Sequence, residues 1–214
     1  FLEDIILKLG AVDRRVIFLL IGLAVLIPLL TPISLPVRET PTTVKFYDGI
    51  DNIPKNSKVL VSFDYGPSTR PEIHPMNVGV LRHMLRNGHQ IYISCLWPDG
   101  IYMALDALEE ITDEVNPDNV STFDIKEYED YILLGYRPGA EAVIKGLASD
   151  LRKVYTVDAN GNFIDDIEMM DGIKNLNDFA YIYSGSAGYP GTFEWVKYGG
   201  CLLYTSDAAD ETER

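Results

Sequence analysis

The sequence predicts an α/β fold: a Rossmann-like, mostly parallel sheet with helices on both faces, preceded by one apolar N-terminal helix. Three observations carry this expectation. Four short apolar runs alternate with amphipathic stretches of roughly a dozen residues, the pattern of βαβ units. Each run ends in a loop rich in Gly and Pro: "DYGPST", "PDG", "RPGAE" and "GSAGYPG". Upstream of them all, Val16–Val37 is a stretch of 22 residues without a charge in an otherwise acidic chain.

The expected organisation is a cytoplasmic juxtamembrane segment over 1–15, a transmembrane helix over 16–37, a linker and short helix over 38–58, and an α/β domain over 59–200. A bilayer core takes about 20 apolar residues in a helix, and the run shows no polar stripe of the kind a buried soluble helix would carry. Pro28, Pro32 and Pro36 fall in its second half, where lipid tolerates a kink or an end near the interface. A cleaved signal peptide with Arg14 and Arg15 as its basic region is the rival, but "TPISLPV" offers no small-x-small cleavage site. Lys8, Arg14 and Arg15 precede the run and Arg38 and Lys45 follow it, so the positive-inside bias places the N-terminus in the cytoplasm and the domain outside.

After the linker "RETPTTVK", Thr42 or Thr43 is expected to cap a brief helix with Val44, Tyr47 and Ile50 on one side. "VLVSF" (Val59–Phe63) reads as a buried strand. Pro71–Asn87 reads as a helix, with Val78, Leu81 and Leu85 at helical spacing and Gly88 as its stop. "IYISCLW" (Ile91–Trp97) is the second strand and Asp99–Val115 the second helix, with Ile101, Leu105, Leu108 and Ile111 in register. The polar segment "NPDNVSTFDIKEYED" is a loop. "YILLGY" (Tyr131–Tyr136) is strand three, and Pro138–Val154 a helix with proline in its first turn. "DANGNF" is a turn, the acidic stretch to Asp178 an irregular connection, "FAYIYSGS" strand four, and Pro190 the opening of a last helix. About 150 residues suffice to bury one core.

The ends stand apart. Residues 201–211, "CLLYTSDAADE", resemble a translated sequencing-adapter scar, so 201–214 are expected to be non-native and the fold C-terminally truncated. That tail carries Asp207, Asp210, Glu211 and Glu213 against Arg214, a net of −3, which leaves −11 of the chain's −14. An acidic balance of that size argues against nucleic acid as a partner. Without the tail Cys95 is the sole cysteine, so no internal disulfide can form.

In open parallel sheets ligands bind beyond the carboxyl ends of the strands, which makes the four glycine-rich loops the expected site. Gly66, Arg137, Gly139, Ser184, Gly185 and Gly188 are the candidate ligand-binding residues: glycines admit close backbone approach, and Arg137 can clamp a carboxylate or phosphate. Ordinary turn chemistry explains the same glycines. Asp64, Glu72 and His74 are the candidate catalytic residues. Asp64 ends the first strand as a nucleophile, ligand or acceptor, and its plainer role is to cap the next turn. Glu72 and His74 follow near a helix start, where carboxylate and imidazole can serve one ligand. His83 and His89 are expected at the surface. No phosphate loop, dinucleotide fingerprint, nucleophile elbow, paired-cysteine or H-E-x-x-H metal site is present, so no cofactor and no metal is expected.

The segment "DRR" before the apolar run, "VLVSFDYGPSTRPEIHPMNVGVLRH", "LLGYRPGAEAVI" and "SAGYPGTFEWV" resemble an uncharacterised family of prokaryotic membrane-anchored α/β proteins with no assigned activity. The resemblance spans most of residues 13–198 and implies no catalytic residue. It implies that relatives continue with another strand and a second membrane segment. Two functions are therefore open. One is a membrane-anchored module that binds a small ligand or a protein partner, with the bilayer itself held through residues 16–37. The other is a membrane-bound hydrolase or transferase with its site at the strands' carboxyl ends.

Overall fold

The computed structural model describes residues 13–30, 39–113 and 124–200. The chain divides after Thr43 into two units. In the first, α1 (Arg14–Leu30) is a helix of 17 residues with Pro28 inside it and no buried residue. Its apolar side chains, Phe18, Leu19, Leu20, Leu29 and Leu30 among them, are exposed all round. No helix among the described residues is long and apolar enough to cross a membrane. The expected transmembrane helix over 16–37 is thus not supported: the helix described there ends at Leu30, and residues 31–37, with Pro32 and Pro36, lie outside the described residues, as do 1–12, 114–123 and the adapter-like tail.

The second unit begins within α2 (Pro41–Asp51). Its cap is Thr40, one of the residues before the expected pair: Thr40 Oγ1 accepts the Thr43 N–H at 3.2 Å. Ile50 is fully buried, as the spacing required, while Val44 is exposed.

Four strands follow: β1 (Lys58–Asp64), β2 (Gln90–Cys95), β3 (Tyr131–Tyr136) and β4 (Tyr181–Ser186). All pairings are parallel, in the order β3-β2-β1-β4. Alternating residues feed two cores, because successive side chains point to opposite faces. Val59, Val61 and Phe63 of β1, Ile91, Ile93 and Cys95 of β2 and Leu133 of β3 meet α3 (Arg70–Arg86) and α4 (Gly100–Thr112) on one face. Leu60, Tyr92, Ile132 and Leu134 meet α5 (Glu141–Ser149) and α6 (Leu151–Val154) on the other. The expected sheet with helices on both faces is therefore what the sequence forms.

Several boundaries move for local reasons. Gly88, with φ of 75°, ends α3 as expected, since a left-handed residue is easiest without a Cβ. The single helix expected over Pro138–Val154 is two. It starts only at Glu141, after Gly139 and Ala140, both at positive φ. It then breaks at Asp150, which is extended and turns its carboxylate onto the Arg152 N–H. The connection to β4 is irregular, as expected, with three short 3-10 turns at Ile164–Asp166, Glu168–Met170 and Leu176–Asp178. The last helix, α7 (Thr192–Glu194), begins two residues after Pro190 and runs into a π turn at Trp195–Gly199. Gly191 N–H meets Glu194 Oε2 at 2.8 Å there.

Candidate functional site

Asp64 is the last residue of β1 and is fully buried. Strand alternation turns it to the α5 face, in line with Leu60 and Ser62. Four groups donate to it. Ser62 Oγ lies 2.8 Å from both carboxylate oxygens. The Leu96 N–H, just past β2, reaches Oδ1 at 2.8 Å. Ser184 Oγ and Trp195 Nε1 reach Oδ2 at 3.3 and 3.0 Å. One side chain thereby ties together β1, the end of β2, β4 and the final helical turn. The expectation that Asp64 caps its own following turn is corrected: its donors are Ser62 of its own strand and three groups from elements remote in sequence. Burial pushes its pKa from 3.8 up to about 6, although all four hydrogen bonds pull it down.

The three candidate catalytic residues diverge. His74 is buried on the opposite side of the sheet: its Nδ1 is 2.8 Å from the hydroxyl of Tyr65, a residue that packs with Phe63 in the α3 and α4 core. Its Nε2 lies 3.5 Å from Asp106 Oδ2 and 3.4 Å from Glu110 Oε2, two carboxylates one turn apart on α4. Arg70 holds the same oxygen of Asp106 at 2.5 Å. Glu72 is exposed. Residues two apart on a helix do not face each other, so Glu72 and His74 cannot address one ligand, and the sheet stands between His74 and Asp64. Burial also moves the Tyr65 hydroxyl up to about 12 and the Cys95 thiol well above its usual range, so both are neutral structural groups.

The candidate ligand-binding residues are likewise engaged. Arg137 spends its guanidinium on three backbone carbonyls, Val154, Tyr136 and Val157, at 3.1, 3.0 and 2.9 Å. It also lies 4.7 Å over the Tyr155 ring. Gly66 faces Asp99, whose Oδ2 would be 3.3 Å from an added Cβ. Gly185 backs onto Asn77, where an added Cβ would lie 2.1 Å from Oδ1. Gly139 needs its freedom, with φ of 127°. Gly188 approaches Trp97, whose Nε1 donates to Pro190 O at 2.8 Å. Ser184 serves Asp64.

Of the surface histidines, His89 is a correction: it is buried, its Nδ1 accepting the Ser57 N–H at 3.3 Å. Burial holds its pKa below the usual imidazole value. His83 is half-buried against the Tyr47 ring, 2.8 Å from Asp51 Oδ1. Among the described residues no group of His, Cys, Asp or Glu side chains can hold a metal ion. Two surface hollows, of about 550 and 480 Å³, open beside Tyr128 rather than at the carboxyl edge. The first is lined by Asn162, Phe163 and Glu168, and the second by Lys58, Gln90 and Asp171, at the amino ends of β1 and β2.

Sequence reading missed Trp195, Ser62 and Ser184 as partners of Asp64, and Asp106 and Glu110 as neighbours of His74. The i, i+4 carboxylates of α4 were visible; what they face was not. In comparison with known proteins, the chain matches no family model, no curated protein and no solved structure.

Proposed function

We propose that this protein is a membrane-anchored binding or scaffold module rather than a membrane-bound hydrolase or transferase. The observation that carries the reading is the saturation of Asp64. A catalytic carboxylate must reach a substrate within hydrogen-bond distance, and this one is fully buried beneath Trp195 with four donors of its own. His74 and Arg137 are committed in the same way to internal partners. Among the residues exposed at the carboxyl rim are two aromatics, Tyr189 and Phe193, with Trp97 half-buried in a neighbouring loop. Exposed aromatic side chains suit contact with a protein partner or a small ligand.

The anchor is supported by α1, an apolar helix without a buried residue, which water disfavours on every face and lipid does not. With residues 31–37 added, the uncharged run reaches bilayer length. The basic residues before it favour an N-terminus in the cytoplasm and an α/β domain on the other side.

The test is turnover by the full chain in lipid vesicles. Phosphate, carboxylic and glycosidic esters are offered with and without Mg²⁺ or Zn²⁺, to the parent and to Asp64→Asn. The module reading expects neither protein to turn over any of them. Hydrolysis by the parent that Asp64→Asn abolishes would replace it with the enzyme reading.

A further inference from the structure

Among the described residues after Thr43, eight large apolar side chains are exposed, and three of them, Tyr189, Phe193 and Val196, fall between residues 189 and 196. Phe193 and Val196 lie three apart on the last helical turns, the spacing of one helix face. The Lys197 amine is 5.8 Å from the centre of the Phe193 ring and 5.1 Å from that of Tyr198. The Lys145 amine, from α5, is 4.2 Å from the same Tyr198 ring. A strip of apolar and aromatic groups with two ammonium groups along it thus runs from α7 to α5. The loop bearing Tyr189 is pinned by two bonds: Ser186 Oγ accepts the Thr192 N–H at 3.0 Å, and Pro190 O accepts the Trp97 Nε1–H at 2.8 Å.

The charge here departs from that of the chain. The sequence has 32 Asp and Glu against 18 Lys and Arg, yet no residue from Phe179 to Phe193 is charged. Each element that carries the strip has one acid. Glu194 is buried and accepts the Gly191 N–H at 2.8 Å. Glu141 is paired with Lys145 at 3.4 Å.

We propose that this strip is a lipid-docking surface, on which the α/β domain rests against the headgroup region of a bilayer. Phe193 and Val196 enter the interface, and Lys145 and Lys197 meet lipid phosphates. The lysines favour lipid over a protein partner. Protein interfaces are enriched in aromatic residues but depleted in lysine. At a bilayer surface lysine lays its apolar stem along the lipid and keeps its amine in the polar layer. An acidic molecule is repelled by anionic lipid wherever its carboxylates face it, so it docks where they are missing. The proposal rests on the anchored reading, because a few side chains hold a domain at a bilayer only weakly unless a tether keeps it near.

The test uses the full chain reconstituted in vesicles of phosphatidylcholine, alone or mixed with phosphatidylglycerol, with lipids brominated just below the headgroups. The chain's two tryptophans are Trp97, bonded to the Tyr189 loop, and Trp195, between Phe193 and Val196, so quenching of their emission reports the domain and not the anchor. The expected result is a chain that floats with the vesicles and is quenched, more strongly with phosphatidylglycerol and less as salt rises. Phe193→Glu with Val196→Glu should lower the docked population roughly tenfold or more, with flotation and the far-ultraviolet dichroism spectrum unchanged. Lys145→Gln with Lys197→Gln should erase the preference for phosphatidylglycerol. Phe163→Glu, at a similarly exposed aromatic beside the Tyr128 hollow, should leave quenching as it is. Flotation without quenching, the result expected if the strip serves a protein partner, would overturn the docking surface and leave the anchor standing. So would quenching that survives the Phe193 and Val196 substitutions. A chain that fails to float would overturn both.

Discussion

Trp195 Nε1 donates to Asp64 Oδ2 at 3.0 Å, joining residues 131 apart in sequence beneath the carboxyl edge of the sheet. The indole closes over a carboxylate that, among the described residues, is held by neutral donors alone. Such a site is stable only while its donors are complete, since a buried charge left short of partners is costly.

Trp195→Phe keeps most of the ring and deletes the N–H. The expected loss is about 1–3 kcal/mol of unfolding free energy, read by urea denaturation at neutral pH. The pKa of Asp64 should move up further, because one of the bonds that lowers it is gone. An unchanged denaturation midpoint would mean that the remaining three donors suffice.

The pH dependence of Asp64 has a definite sign. The folded protein holds a proton on it up to about 6, whereas the unfolded chain releases it near 3.8, so folding takes up a proton between those values. The stability this group contributes is greatest below 3.8, declines as pH rises, and is lost above about 6. The span is on the order of 3 kcal/mol. Asp64→Asn should flatten that decline, measured as the difference between parent and variant in urea midpoints at about pH 4.5 and pH 7. Comparison with the parent matters because His89, whose pKa is lowered by burial, titrates with the opposite effect, destabilising the fold as pH falls.

The sheet was legible because its strands are apolar runs in a fixed alternation with helices, and that pattern needs only neighbouring residues to be seen. Val59–Phe63 and Tyr131–Tyr136 required almost no adjustment. The helix expected over Pro138–Val154 was misread because its break depends on Asp150 turning its carboxylate onto Arg152, a choice that periodicity does not reveal. The candidate site failed for a related reason. Asp64, Glu72 and His74 are close in sequence, yet strand parity and helical pitch send them to three different environments. Proximity along the chain was mistaken for convergence in space. Apart from Ser62, two residues back, the partners of Asp64 lie 32, 120 and 131 residues away, beyond any local pattern.

Arg137 is a staple for the turn after α6. Lys at this position keeps the charge but cannot span three carbonyls in one plane. Arg137→Lys should cost about 1–2 kcal/mol and speed amide exchange in Val154–Asp158, where the freed carbonyls lie. If Arg137 instead serves a bound anion, the same substitution would leave the fold unchanged and weaken phosphate binding, which titration calorimetry would detect.

The anchor makes the last claim. Leu23 sits in mid-helix in α1, an exposed apolar side chain with no protein core to enter. An arginine there costs about 2.5–3.5 kcal/mol at the centre of a membrane helix, whereas in water it is favourable. Membranes carrying the parent chain should therefore keep it through alkaline carbonate extraction, and those carrying Leu23→Arg should release a large share. The dichroism of the released domain should match the parent, because both hydrophobic cores are built from residues after Thr43. Release of the parent chain by carbonate, or equal retention of both proteins, would remove the bilayer as the solvent of this helix and with it the tether.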